Sequence, residues 1–220
     1  MLTNEQFEIL RKEVAPIIEA STIPASYGWP NQISMALVDA VFSIRARYNP
    51  SGDNENPTGL LKRLRQLKAS HPEIADDLSK LVELGAPKLI EIMGDSKSGQ
   101  QSKAGCVIHA AQNYLNLEVR AAADLDAKSS AHKKAYISVK GLGPVTYEYF
   151  AMLLGTPGVK ADTLISRFVN RTLDLPKPDE LSSANIRETI VALHQHESFR
   201  DINLSVFDNI IWRHESRRNK

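Results

Sequence analysis

Val139-Lys140-Gly141-Leu142-Gly143-Pro144-Val145-Thr146 (VKGLGPVT) interrupts a stretch of otherwise helical patterning. AKSSAHKKAYISV leads into it and PVTYEYFAMLLG leaves it as a helix closed by Gly155. A helix that breaks at Gly-x-Gly and restarts at once makes a tight hairpin. Gly141 and Gly143 open backbone angles closed to other residues, and nothing on Cα shields the intervening amides. Pro144 suits the first helical turn, where a missing N–H costs nothing. Those amides, with the following helix N-terminus, form an anion pocket beside Lys140. The alternative is a plain corner whose glycines only permit close packing, and a lone Gly-x-Gly does not decide between the two.

Working outward, nearly every other segment reads as helix. Phe7, Leu10, Val14, Ile17 and Ile18 share one face of residues 4–20, and ISMALVDAVFSIRARY (33–48) is apolar over most of its length, as a central core helix is. LLKRLRQLKAS is amphipathic, with a basic face read as solvated. PEIADDLSKLVELG and APKLIEIMG read as two short helices, followed by a helix through KAGCVIHAAQNYLN. After the hairpin come DTLISRFVNRTL, SSANIRETIVALHQH and INLSVFDNIIWRHESRR. STIPASYGWPNQ and NPSGDNENPTG are turn-rich connections. No segment shows a convincing alternating β pattern and no internal repeat is visible, so the fold class expected is all-α with nine to eleven helices.

Composition narrows the function classes. With 42% hydrophobic and 24% charged residues in 220, the chain has the balance of a globular protein with a real core. The formal net charge of +1 means that an anionic partner must be drawn by local patches. The single cysteine, Cys106, excludes an intramolecular disulfide and a four-cysteine metal or iron–sulfur site, and its apolar setting marks a buried, inert thiol. His109, His194 and His196 form no i, i+4 metal pairing with a carboxylate, and the last two read as a solvated helix end. MLTNEQFEIL shows no signal-peptide pattern and no run approaches the length of a membrane span. A cytoplasmic location is expected, nucleoid-associated in a bacterium.

Asp162 lies 21 residues after Gly141, beyond one helix and a loop containing Pro157 and Gly158. This hairpin–helix–loop–Asp arrangement resembles the helix-hairpin-helix DNA glycosylase superfamily, the group containing endonuclease III and the adenine and 3-methyladenine glycosylases. The matching residues are Val139 to Thr146, then Val159-Lys160-Ala161-Asp162-Thr163 through Arg167-Phe168-Val169. Looser similarity extends to LVDAVFSIRARY and SKAGCVIHAAQ, so that the resemblance covers residues 28 to 170. It implies two helical subdomains with a central cleft, one holding residues 28–145 and the other 1–27 plus 146–220.

The resemblance also implies roles. Lys140, Gly141, Leu142, Gly143, Val145 and Thr146 would meet the DNA backbone, contacts that position a protein without reading sequence. Arg45 stands where the family carries the polar side chain that fills the gap left by a flipped base. Asp162 would stabilise the oxocarbenium-like centre or help activate water as the base leaves; a plain helix N-cap is the competing reading of the same residue. Trp29, Tyr27 and Tyr48 are candidates for base stacking, Trp29 alternatively anchoring its connection to the core, and Trp212 reads as core.

Three departures qualify the pattern. Bifunctional members carry a nucleophilic lysine two positions beyond the second hairpin glycine, where this chain has Val145, which cannot form a Schiff base. Tyr147 replaces a usually small residue and predicts a looser or shifted hairpin helix. The family's iron–sulfur cluster has no ligands here. The function expected is therefore a monofunctional DNA glycosylase, monomeric, acting on double-stranded DNA with a damaged or modified base. It needs no metal or cofactor, a monovalent cation at the hairpin being the one ion the resemblance allows. A catalytically inactive DNA-binding helix-hairpin-helix protein and a helical adaptor without nucleic acid are the rival readings.

Overall fold

A computed structural model describes residues 2–23, 27–49 and 55–218. Parts of the two turn-rich connections read from the sequence, residues 24–26 and 50–54, lie outside these. The described residues form ten α-helices: α1 (Asn4–Glu19), α2 (Ile33–Phe42), α3 (Gly59–Ser70), α4 (Leu78–Met93), α5 (Lys103–Leu115), α6 (Ser130–Ile137), α7 (Pro144–Leu153), α8 (Thr163–Thr172), α9 (Ser183–His194) and α10 (Leu204–Arg217). One minimal antiparallel pair, β1 (Lys97–Ser98) and β2 (Gln101–Ser102), precedes α5. The fold is all-α. None of these helices is long and apolar enough to cross a membrane.

The chain divides into two compact units, Gly28–Thr156 and Met1–Tyr27 with Pro157–Lys220. The central helix of the first is α2, whose ten residues are all buried. A helix apolar on every side needs neighbours on every side, and α3, α4, α5 and α7 pack around it. Because α7 lies against α2, this unit runs past the hairpin to Thr156. Gly85, at φ +80°, breaks α4 into the two segments that the sequence pattern separates. Adjacent carboxylates tie the unit together. Asp76 accepts from Ile33 N at the start of α2 (3.0 Å) and from Ala122 N (2.9 Å). Asp77 caps α4 through Ser79 N and Lys80 N and pairs with Arg120 at 2.7 Å.

Tyr147 is not a source of looseness. It is buried, its ring meets Tyr136 at 5.7 Å between centroids, and its hydroxyl donates to Ala127 O at 3.0 Å. Tyr136 in turn stacks on Phe150, which also meets Tyr114. The tyrosine fills the space a small residue would leave, and α7 closes on an aromatic cluster.

In the second unit α1, α8, α9 and α10 share one core, built from Leu10, Val14, Ile165, Phe168, Ile190, Phe207 and Ile211 among others. Arg171 on α8 reaches buried Glu215 on α10 at 3.2 Å. His194 departs from the solvated-end reading. Its ring is half-buried, edge-on to Phe207, with Nε2 2.6 Å from Ile202 O. The chain after α9 turns back over that ring and gives it a carbonyl partner.

Candidate functional site

The hairpin belongs to the first unit, and its two glycines differ. Gly141 adopts φ +100°, and a Cβ there would stand 3.0 Å from Ser98 O and 3.5 Å from Cys106 Sγ. Ser98 Oγ donates to Gly141 O at 2.7 Å, and Cys106 Sγ lies 3.4 Å from Lys140 O. The β1 turn and α5 thus support the hairpin from beneath, and only glycine allows them so close. Burial pushes the Cys106 thiol up, as expected of an inert cysteine.

Gly143 is extended, at φ −144°, with open space where a Cβ would stand. Nothing among the described residues requires a glycine there. Its N–H donates to Thr146 Oγ1 at 3.1 Å, and that hydroxyl donates to Gly143 O at 2.8 Å. Gly143 is thus the N-cap of α7 and Thr146, in the first turn with Pro144, bonds back to it. Leu142 is buried and Lys140 exposed, while Val145 is 45% exposed at the α7 N-terminus. An apolar side chain sits in water at the position under test for a nucleophile.

Trp29 and Tyr48 converge on one buried carboxylate. Trp29 Nε1 and Tyr48 OH both donate to Asp39 Oδ2, each at 2.7 Å. Asp39 lies on fully buried α2, so both rings are oriented from the core outward while remaining half-buried themselves. Lys68 Nζ lies 5.6 Å from the Trp29 ring centroid. Gly28 makes this possible at φ +76°, where a Cβ would collide with Leu153 O, and Trp29 N donates to the same carbonyl. Trp29 thus anchors its connection, as the alternative reading has it.

Arg45 is exposed in the turn after α2, with φ +52°. The helix expected through Tyr48 stops at Phe42. Lys103, only 4% exposed, explains the stop. Its Nζ donates to Phe42 O (3.0 Å) and Ile44 O (2.7 Å), satisfying carbonyls that a continuing helix would have bonded. Desolvation lowers the Lys103 ammonium from its ordinary value. The turn carrying Arg45 is therefore held by a buried cation at the start of α5.

Asp162 belongs to the second unit and is half-buried. Its two oxygens have different partners. Oδ1 accepts from Leu164 N (2.9 Å) and Ile165 N (3.2 Å) as the N-cap of α8, and Oδ2 accepts from Trp212 Nε1 at 3.0 Å. Trp212 packs partly into the core, as its apolar neighbours predict, yet its indole edge fixes the carboxylate. Ser205 and Asp208, on the same face of α10, reach the preceding loop. Ser205 Oγ accepts from Gly158 N (3.0 Å) and Asp208 Oδ2 from Lys160 N (3.3 Å). Lys160 O then accepts from Asp162 N at 2.6 Å.

The family model for a domain of unknown function, DUF8548, matches residues 8–216. The chain belongs to that family. No curated protein matches its sequence. Solved structures with a similar fold include a thermostable thymine-DNA glycosylase, at 14% identity and TM-score 0.57 over 94% of this chain and 87% of that one. MBOgg1 in complex with a low-affinity DNA ligand matches at 12% identity and TM-score 0.58, over 98% and 71%. A trapped endonuclease III–DNA covalent intermediate matches at 17% and 0.52, over 96% and 85%. This DUF8548 chain therefore has the fold of the helix-hairpin-helix glycosylase superfamily.

Within that fold the first unit of the DUF8548 chain holds the hairpin, Arg45, Trp29 and Tyr48, and the second holds Asp162. Trp29 is brought together with Tyr48. The residues that sequence reasoning missed are the ones holding the candidates: Asp39, Ser98, Lys103, Ser205 and Asp208, with Trp212 identified only as core. Asp39 and Asp208 did carry one signal, a lone acidic residue inside an apolar helical run.

Proposed function

We propose that this chain is a monofunctional DNA base-excision glycosylase in which Asp162 is the catalytic carboxylate. The observation carrying this reading is the division of labour on Asp162. One oxygen caps α8 and the other accepts an indole N–H, while the residue stays half-buried. A carboxylate so fixed costs little reorganisation when positive charge develops on the sugar. The N-terminus of α8 adds favourable dipole to its negative charge.

In this reading the base is flipped from the stack and its N-glycosidic bond breaks. Asp162 stabilises the cationic sugar, water adds at the anomeric carbon, and an abasic site remains. Lys140, Gly141, Leu142, Gly143 and Thr146 present hairpin backbone and charge to DNA phosphates, with Val145 alongside. Arg45 fills the vacated stack, while Trp29 and Tyr48 offer ring faces to a base. Val145 has no amine, so no covalent sugar adduct forms and the strand stays intact until alkali is added.

The test is a set of duplexes each carrying one lesion (uracil, thymine opposite guanine, 8-oxoguanine or 3-methyladenine), scored for strand scission with and without alkali. The wild type cuts at least one of them only after alkali. Asp162→Asn retains an N-capping oxygen and duplex binding but loses excision by about 100-fold or more. Unchanged excision in Asp162→Asn removes the mechanism, and scission without alkali removes the monofunctional assignment.

A further inference from the structure

Asp208 is a buried acid that the proposed chemistry does not use. It is 2% exposed, Oδ2 accepts from Lys160 N, and Oδ1 is buried without a hydrogen-bond partner among the described residues. A carboxyl in that setting is costly, and apolar residues surround it on α10. Its place in a repeating pattern gives it a purpose. Ser205, Asp208 and Trp212 occupy i, i+3 and i+7, one face of α10, and meet Gly158, Lys160 and Asp162 in turn. Alternate residues of the loop thus meet successive turns of the helix.

We propose that Asp208 is a positioning residue for Asp162, holding the Gly158–Asp162 segment to α10 through the Lys160 backbone. The middle rung matters most because Lys160 O also accepts from Asp162 N at 2.6 Å. Asp208 thus holds the N–H of the residue whose carbonyl receives the Asp162 N–H, while Trp212 holds the Asp162 side chain. The groups facing Asp208 are Lys160 and Asp162 from the loop and Arg187 from α9. Burial first, and then the Asp162 charge, pushes the Asp208 carboxyl well above the usual range, against the hydrogen bond from Lys160 N and the two cations. Held neutral, it supplies an acceptor to Lys160 without placing a second negative charge beside Asp162. As pH rises through its shifted value it ionises, and that advantage is lost.

The inference rests on Asp162 being the catalytic carboxylate, so the experiment has one arm that needs no activity. Amide hydrogen exchange is followed at Lys160 in the wild type, Asp208→Asn and Asp208→Leu. Single-turnover excision is measured against pH on whichever single-lesion duplex of the set above the wild type cuts best. In Asp208→Leu the Lys160 amide exchanges at least about tenfold faster, and excision falls about 100-fold with duplex affinity unchanged. Asp208→Asn keeps a neutral acceptor, restores both to within about threefold, and removes the alkaline fall in rate expected of the wild type.

Equal excision by Asp208→Leu and the wild type overturns the inference, as does an Asn variant whose pH profile matches the wild type. If the wild type excises nothing, the glycosylase reading alone has failed. Lys160 exchange then still decides: faster in the Leu variant upholds the positioning contact, and unchanged exchange overturns it. Should Asp208→Leu fail to fold, the Asn variant's exchange and pH profile carry the decision.

Discussion

On the proposed function, the two hairpin glycines separate stability from duplex binding, and substituting each by alanine tests this. Gly141→Ala forces an L residue to φ +100° and places a Cβ 3.0 Å from the Ser98 carbonyl oxygen. The conformational term is about 1–3 kcal/mol, and the forced displacement of backbone adds about 1–3 kcal/mol. A total near 4 kcal/mol lowers the melting temperature by roughly 8–16 °C in a chain of this size. Gly143→Ala meets none of these penalties, because φ is −144° and the space is open. The loss in N-cap preference, about 0.5–1 kcal/mol, is offset by the reduced freedom of the unfolded chain, about 0.4–1 kcal/mol. Its stability therefore stays within about 1 kcal/mol of wild type.

Duplex binding should show the opposite pattern for Gly143→Ala. A methyl group between the hairpin backbone and a phosphate removes a charged hydrogen bond of about 1.5–3 kcal/mol, or roughly 10–100-fold in affinity. The measurements are thermal unfolding and fluorescence anisotropy on an abasic duplex over a salt series, where phosphate contacts give a steep dependence. A Gly143→Ala protein with wild-type affinity and salt slope refutes the argument that its glycine serves an external phosphate. One destabilised as much as Gly141→Ala refutes the reading of open space.

Three further substitutions test single contacts. Trp212→Phe keeps the ring in the core but removes the N–H on Asp162 Oδ2; a charged hydrogen bond of about 1.5–3 kcal/mol corresponds to an excision rate roughly 10–100-fold lower, read in single-turnover assays at saturating enzyme. Tyr147→Phe deletes only the hydroxyl on Ala127 O and costs about 1 kcal/mol, measured by urea unfolding, with duplex affinity unchanged. Asp77 is held well below the usual carboxylate range, chiefly by the Arg120 guanidinium, so its contribution is present above the unfolded value of about 3.9 and lost as pH falls from there through the folded value. Asp77→Asn accordingly flattens the acid side of a stability–pH curve below about pH 4, and an acid limb as steep as the wild type's contradicts the pairing.

The features legible in the sequence were those whose partners lie close along the chain. Gly-x-Gly-Pro announces a hairpin, and Asp before Thr-Leu-Ile announces a cap, because turn and cap bonds span only two or three residues. The stop of α2 at Phe42 was hidden, since apolar spacing continues to Tyr48 and the cause, Lys103, is about sixty positions away. Nothing in the 60 residues between them marks a lysine that will be buried on two carbonyls. Tyr147 was misjudged for a related reason. Its residue type was weighed against one neighbouring helix, whereas its ring is accommodated by Tyr136 and its hydroxyl by Ala127.

Asp162 shows how two readings of one residue need not compete. From the sequence, a plain N-cap accounts for an aspartate at the start of α8 by itself, and the family resemblance makes a catalytic role compatible with it. A cap needs one acceptor oxygen, and Oδ1 receives both amides. The orientation that this imposes sends Oδ2 elsewhere, and Trp212 meets it from α10. The cap thus does for the side chain what an active site requires, fixing its rotamer and keeping charge near a helix N-terminus. Asp162→Asn holds the cap, removes the charge and turns an amide NH2 towards the Trp212 N–H, so excision falls far beyond the loss in stability only if the second role is real.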